Sequence, residues 1–139
     1  MTVREYLSLP GKLKEEIRRD IDNVAAMRSI VENTTTHLSF TAGRNPSKNN
    51  DTFENVMLEI AEEEKKIEEK KQKLIKVQVE LLREIGKLKD KEQQDVLRMR
   101  YIEDKKMSKI ADVKDVTIQR VYQIHGEAVE NLEKALTWL

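Results

Sequence analysis

The 139-residue chain has no cysteine, two prolines and four glycines, and aromatics make up only 4% of it. Without thiols there is no disulfide framework, no Cys-ligated zinc or iron–sulfur cluster, and no cysteine nucleophile. No apolar run approaches the roughly 20 residues that a helix needs to cross a bilayer. The opening Met-Thr-Val-Arg-Glu-Tyr lacks the apolar segment of a secretory signal. A cytoplasmic protein with no membrane partner is expected. Charge of one sign is also missing: 26 Lys+Arg stand against 26 Asp+Glu. A neutral chain does not coat nucleic acid non-specifically, so any DNA contact must come from a local patch. A Gly-rich phosphate loop, a nucleophile–base pair and a paired-carboxylate cleft are all absent, which predicts no enzyme and no cofactor. The two histidines, His37 and His125, are far apart in sequence and predict no metal site.

What the chain does have is helix-forming material. Ala, Glu, Lys, Leu and Arg approach half of the residues, the composition of long helices and coiled coils. From Lys12 to Glu32, Leu13, Ile17, Ile21, Val24, Met27 and Val31 recur at steps of three or four, one face of an amphipathic helix. Pro10-Gly11 should interrupt the chain before it. Residues 33–51, with Asn-Thr-Thr-Thr, Gly43 and Asn45-Pro46-Ser47, read as a long polar loop.

A second helix is expected from Thr52 to Lys89, capped by Asp51 or Thr52. Phe53, Ile60, Ile67, Leu74, Leu81 and Leu88 fall seven apart, while the companion stripe of Met57, Glu64, Lys71, Gln78 and Ile85 turns polar in its middle. One good stripe and one interrupted one suggest a helical hairpin or weak coiled coil. The second helix would span about 57 Å and the first about 32 Å, so the later part of the second needs further cover. Leu74, Ile75, Val77, Val79, Leu81, Leu82 and Ile85 are apolar on more than one side. The candidates to cover them are the N-terminal segment with Tyr6 and Leu7, the C-terminal domain, or another copy of the chain. A homo-oligomer, a dimer above all, is therefore expected through the long helix.

The last third is more specific. Asp90 with Gln93 is a capping-box-like start for a helix from Gln93 to Ile102. A short helix near Ser108–Val113 follows, then a turn at Asp115. Thr117 should cap a final helix from Ile118 with Val121, Ile124, Ala128, Leu132 and Leu136 facing inward. Two short helices joined by a tight turn, the second longer and Thr-capped, follow the grammar of a helix-turn-helix. The fold class expected is all-α: a long antiparallel helical hairpin over residues 1–89, then a helix-turn-helix domain over 90–139.

These residues carry a resemblance. Val96-Leu97-Arg98-Met99-Arg100-Tyr101, Ile110-Ala111, Val116-Thr117 and Arg120-Val121-Tyr122-Gln123-Ile124 look like region four of bacterial sigma factors, the module that reads the promoter −35 element. The match covers about residues 92–136. The plan of the whole chain resembles small phage and prophage proteins described as sigma-like transcriptional regulators. Two departures stand out. Lys114 and Asp115 occupy positions where sigma factors usually carry Leu and Gly, and Val113 is expected to rotate inward in place of the leucine. The region that melts the −10 element has no counterpart, so this chain should not initiate transcription by itself.

By helix-turn-helix geometry the leading turns of the last helix face the major groove. Ile118, Gln119, Arg120 and Gln123 are the expected base readers: Arg120 for guanine, Gln119 or Gln123 for adenine, Ile118 for a thymine methyl. Thr117 and Tyr122 are expected on the DNA backbone. Arg98, Arg100, Lys105, Lys106 and Lys109 form the basic cluster suited to phosphate. Between residues 98 and 125 seven Lys/Arg face four acids, a modest excess that predicts weak monomeric affinity, raised by dimerisation or by RNA polymerase. The partners expected are thus double-stranded DNA, RNA polymerase and a second copy. Two rival roles are an interaction protein seated on the polymerase surface that region four occupies, and a DNA-packaging subunit like a phage small terminase.

Overall fold

A computed structural model describes the backbone of residues 1–38 and 46–139, and the side chains of residues 1–34 and 51–139. All regular structure among the described residues is helical, in the order α1 (Val3–Leu38), α2 (Pro46–Ile85), α3 (Lys91–Leu97), a π-helical stretch (Arg98–Ile102), α4 (Met107–Lys114) and α5 (Ile118–Ala135). The side-chain expectations for His37, Gly43 and Asn45 to Ser47 lie outside the described residues.

Pro10-Gly11 does not interrupt the first helix. α1 starts at Val3 and runs through Pro10. Its start is fixed by a reciprocal capping box: Glu5 N donates to Thr2 Oγ1 (3.2 Å), and Thr2 N donates to Glu5 Oε2 (3.3 Å). A proline inside a helix costs about 3 kcal/mol. Offsetting that, Val3, Tyr6, Leu7 and Pro10 itself are buried. Part of the stretch expected as a loop at 33–51 is helical. Residues 33–38 continue α1, and 46–51 belong to α2. Asn and Thr are weak helix formers rather than breakers, and adding residues to an existing helix is far easier than nucleating one. Pro46 sits well at a first helical position, where its missing N–H would have no partner anyway.

α2 ends at Ile85, not Lys89. Gly86 N still donates four residues back to Leu82 O (3.0 Å), and the ladder then tightens to three-residue steps, Lys87 N to Glu84 O (3.2 Å) and Leu88 N to Ile85 O (3.1 Å). Such short-range bonds satisfy terminal carbonyls that would otherwise be orphaned.

Contacts divide the chain into two compact units, Lys14–Gln72 and Met1–Leu13 with Lys73–Leu139. In the first unit Ile17, Val24, Ile60 and Ile67 are buried, Asp20 bonds Lys70 (2.6 Å), and Arg28 pairs with Glu64. In the second, Val3, Tyr6 and Leu7 share one core with Leu81, Ile85, Leu97, Ala128 and Leu132. The cover that the C-terminal part of α2 required comes from the N-terminal segment and the C-terminal helices together. One stripe stays open: Ile75, Val79 and Leu82 are exposed.

The same unit holds a second core of Val96, Met99, Ile110, Ala111, Val121 and Ile124. All five residues expected to line the inner face of α5 are buried. Gly126, inside α5, would accept a Cβ with nothing within 4 Å. Trp138 stacks edge-on against Tyr6, ring centroids 5.1 Å apart, which anchors the C-terminal end to α1. No helix among the described residues is long and apolar enough to cross a membrane.

Candidate nucleic-acid interface

The candidate surface is built on α4, the turn after it and the start of α5. Asp90 caps α3 as expected, accepting from Glu92 N (2.8 Å) and Gln93 N (3.4 Å). The Gln93 side chain does not return the bond. It is buried and accepts from Asn131 Nδ2 of α5 (2.8 Å), which ties α3 to the outer part of the last helix. The helix expected to run to Ile102 changes pitch after Leu97. Glu103 N donates to Arg98 O (3.0 Å), a five-residue step, and Lys105 N donates to Met99 O (2.9 Å).

α4 closes in a Schellman arrangement around Asp115, which adopts the left-handed conformation (φ 54°, ψ 49°). Val116 N donates to Ala111 O (3.1 Å) and Asp115 N to Asp112 O (3.3 Å). A glycine usually occupies such a position, and Asp is among the residues that tolerate it best. Thr117 then caps α5, its Oγ1 accepting from Arg120 N (3.1 Å).

Lys114 corrects an expectation. Val113 does not rotate inward; it is 49% exposed. Lys114 lies half-buried and donates to Asp95 Oδ2 on α3 (2.7 Å). An ion pair between α3 and α4 thus stands where a leucine would supply apolar packing. The Lys114 ammonium, with Arg98 behind it, holds the Asp95 carboxyl below the usual carboxylate range.

Above the buried Val121 and Ile124, the residues expected to read bases are all exposed: Ile118, Gln119, Arg120 and Gln123, with Tyr122 beside them. Two of these are joined. Arg120 Nη1 donates to Gln123 Oε1 (3.0 Å). Glu92, at the start of α3, brings Oε2 to 3.9 Å from Arg120 Nη2.

The basic cluster is less available than its sequence implies. Arg98 is paired with Asp95 (3.2 Å) and Glu103 (3.4 Å), and Lys105 with Glu103 (3.1 Å). The Lys105 bond leads the effects that keep the Glu103 carboxyl below its ordinary range. Arg100 donates to the Lys105 carbonyl (3.1 Å), a role in holding the loop. Lys106 and Lys109 are exposed.

Sequence reasoning missed the pair beneath the surface. His125 is buried, and a 2.7 Å hydrogen bond joins its Nε2 to Tyr101 Oη. Burial, then Arg4 and Arg100, pushes the imidazole below its ordinary value, so it is neutral at pH 7. Burial likewise pushes the Tyr101 phenol up. The signal available was the wide spacing of two amphipathic residues on helices expected to pack, too weak to single out. Among the described residues no group of three His, Asp or Glu is arranged to hold a metal.

A family described as "Protein of unknown function (DUF1492)" matches residues 34–133. No curated protein and no solved structure matches the chain.

Proposed function

For a chain that belongs to this family of unknown function, we propose a role as a DNA-binding transcriptional regulator of phage or prophage type, working through a sigma-region-four-like helix-turn-helix. One observation carries the reading. α4, the left-handed turn at Asp115 and the Thr117-capped α5 present a polar leading face of Gln119, Arg120 and Gln123 while Val121 and Ile124 are buried beneath it. A helix seated this way can enter the major groove without disturbing its own core.

In this reading Ile118, Gln119, Arg120 and Gln123 contact bases, and Thr117, Tyr122, Lys106 and Lys109 contact the backbone. Arg98, Arg100 and Lys105 brace the unit from behind. α1 and α2 form the antiparallel hairpin, supported by Asp20–Lys70 and Arg28–Glu64, whose order along the two helices is opposed. The exposed Ile75, Val79 and Leu82 support pairing of two copies, which raises affinity by linking two weak sites. RNA polymerase is the second partner. The protein binds rather than catalyses, and needs no cofactor.

A mobility-shift assay of the full chain against the DNA flanking its own gene tests the role. A discrete, salt-sensitive complex on one segment, abolished by unlabelled specific duplex but not by random duplex, is the expected result. Equal retardation of every segment, or none, overturns it. Sedimentation at micromolar concentration tests the pairing separately: a dimer is expected.

A further inference from the structure

The Arg120–Gln123 bond has a chemical consequence for what this face can read. A guanidinium has donors only, so its 3.0 Å bond to Gln123 must use the amide oxygen. The amide nitrogen, with two N–H groups, is what Gln123 keeps for a ligand. Glutamine pairs with adenine by using both ends, accepting from N6 and donating to N7. Here Oε1 would have to serve Arg120 and adenine N6 together, which sets the adenine amino hydrogens beside a cation. Guanine presents no such conflict, because O6 and N7 are both acceptors. Glu92 adds to this by flanking Arg120 Nη2 at 3.9 Å, which favours keeping the guanidinium over the leading turns rather than extended towards phosphate. Gln119 makes no such bond and remains free to address adenine.

We propose that Arg120 and Gln123 act as one donor-only unit specifying guanine at its O6/N7 edge. This corrects the adenine role expected of Gln123. It rests on the DNA-reading role above and goes further by joining Gln123 to the guanine readout expected of Arg120 alone.

The test starts with selection of duplexes from a random pool by the full-length protein. Each selected guanine is then replaced by 7-deazaguanine, which removes the N7 acceptor and leaves base pairing intact. At one guanine, wild-type binding should fall on the order of tenfold or more. Gln123→Glu, which pairs with Arg120 and offers only acceptors outward, should abolish the preference for guanine there. Glu130→Gln, exposed about two turns further along α5, should leave it. Both substituted positions are exposed, so unchanged far-ultraviolet circular dichroism and thermal midpoint confirm that folding is not the cause. An enriched site without guanine, or one whose Gln123-dependent position is adenine, overturns the inference while leaving DNA reading intact. Variants that change only the salt slope of binding and no base preference also overturn it, in favour of a phosphate contact. Failure to enrich any sequence overturns the regulator role and this inference together.

Discussion

Lys114 on α4 sets its ammonium nitrogen 2.7 Å from Asp95 Oδ2 on α3, joining the two helices that support α5. Arg98 shares the same carboxylate from 3.2 Å. Lys114→Met keeps most of the stem and removes the charge, so it should cost about 1 kcal/mol at pH 7, the upper range for a partly exposed pair. The sign of the pH effect follows from Asp95, whose folded value is lowered. Its contribution is present above the unfolded value of about 3.9 and is lost as pH falls through the folded one. Denaturant melts of both proteins at pH 7 and in strong acid should therefore show the gap closing in acid. A gap that persists there would assign the effect to packing.

Tyr101 and His125 predict a second pH dependence at higher pH. The His125 value is lowered by burial, so the unfolded chain takes up a proton first as pH falls from about 6.5. Stability is full above that value and declines as pH drops through the lowered folded one. His125→Gln should flatten the thermal midpoint between pH 7.5 and 5. Tyr101→Phe should cost about 1–2 kcal/mol at pH 7.5, because a buried ring nitrogen loses its partner.

The turn before α5 separates two backbone effects. Asp115→Ala should destabilise by about 1 kcal/mol, since the left-handed conformation penalises a plain Cβ. Asp115→Gly should match or exceed wild type. Thr117→Ala should cost about 1 kcal/mol through the lost cap. Thermal melts at neutral pH rank the three, and equal losses for Gly and Ala at 115 would contradict the conformational explanation.

Leu7 is 2% exposed, in the core that also holds Leu81, Ile85 and Leu132. Leu7→Ala should cost about 2–4 kcal/mol, the range for a buried leucine whose site cannot collapse. Hydrogen exchange should show α5 amides losing protection along with those of α1. Loss confined to α1 would contradict a shared core.

Much of this was legible in the sequence, and what was not has physical reasons. The inward stripe of α5 is readable because Val121, Ile124, Ala128, Leu132 and Leu136 obey the helical period and Thr117 marks their start. The Thr2-x-x-Glu5 box is equally local but was not singled out, and Pro10-Gly11 read as a break because propensity cannot register that Tyr6 and Leu7 share a core with distant α2 residues. Asn33 to Thr36 misled for the converse reason: weak helix formers extend a helix already nucleated. At the candidate site, spacing identified which side chains line the leading face of α5. It could not show that Arg98 and Lys105 are occupied by Asp95 and Glu103, or that Arg120 and Gln123 are bonded to each other. Those pairings depend on side-chain directions between elements, which the period of a single helix does not encode.

The central claim is that the leading turns of α5 read duplex sequence. Fluorescence anisotropy of the full chain on a selected duplex and on a permuted duplex of the same composition, across a salt series, tests it most directly. The account predicts at least about hundredfold tighter binding to the selected duplex at physiological salt, below the usual range for specific sites because the patch is only modestly basic. Both affinities should fall with salt, and Arg120→Ala should erode the ratio more than the affinity for permuted duplex. Equal affinity for the two duplexes at every salt concentration would contradict it.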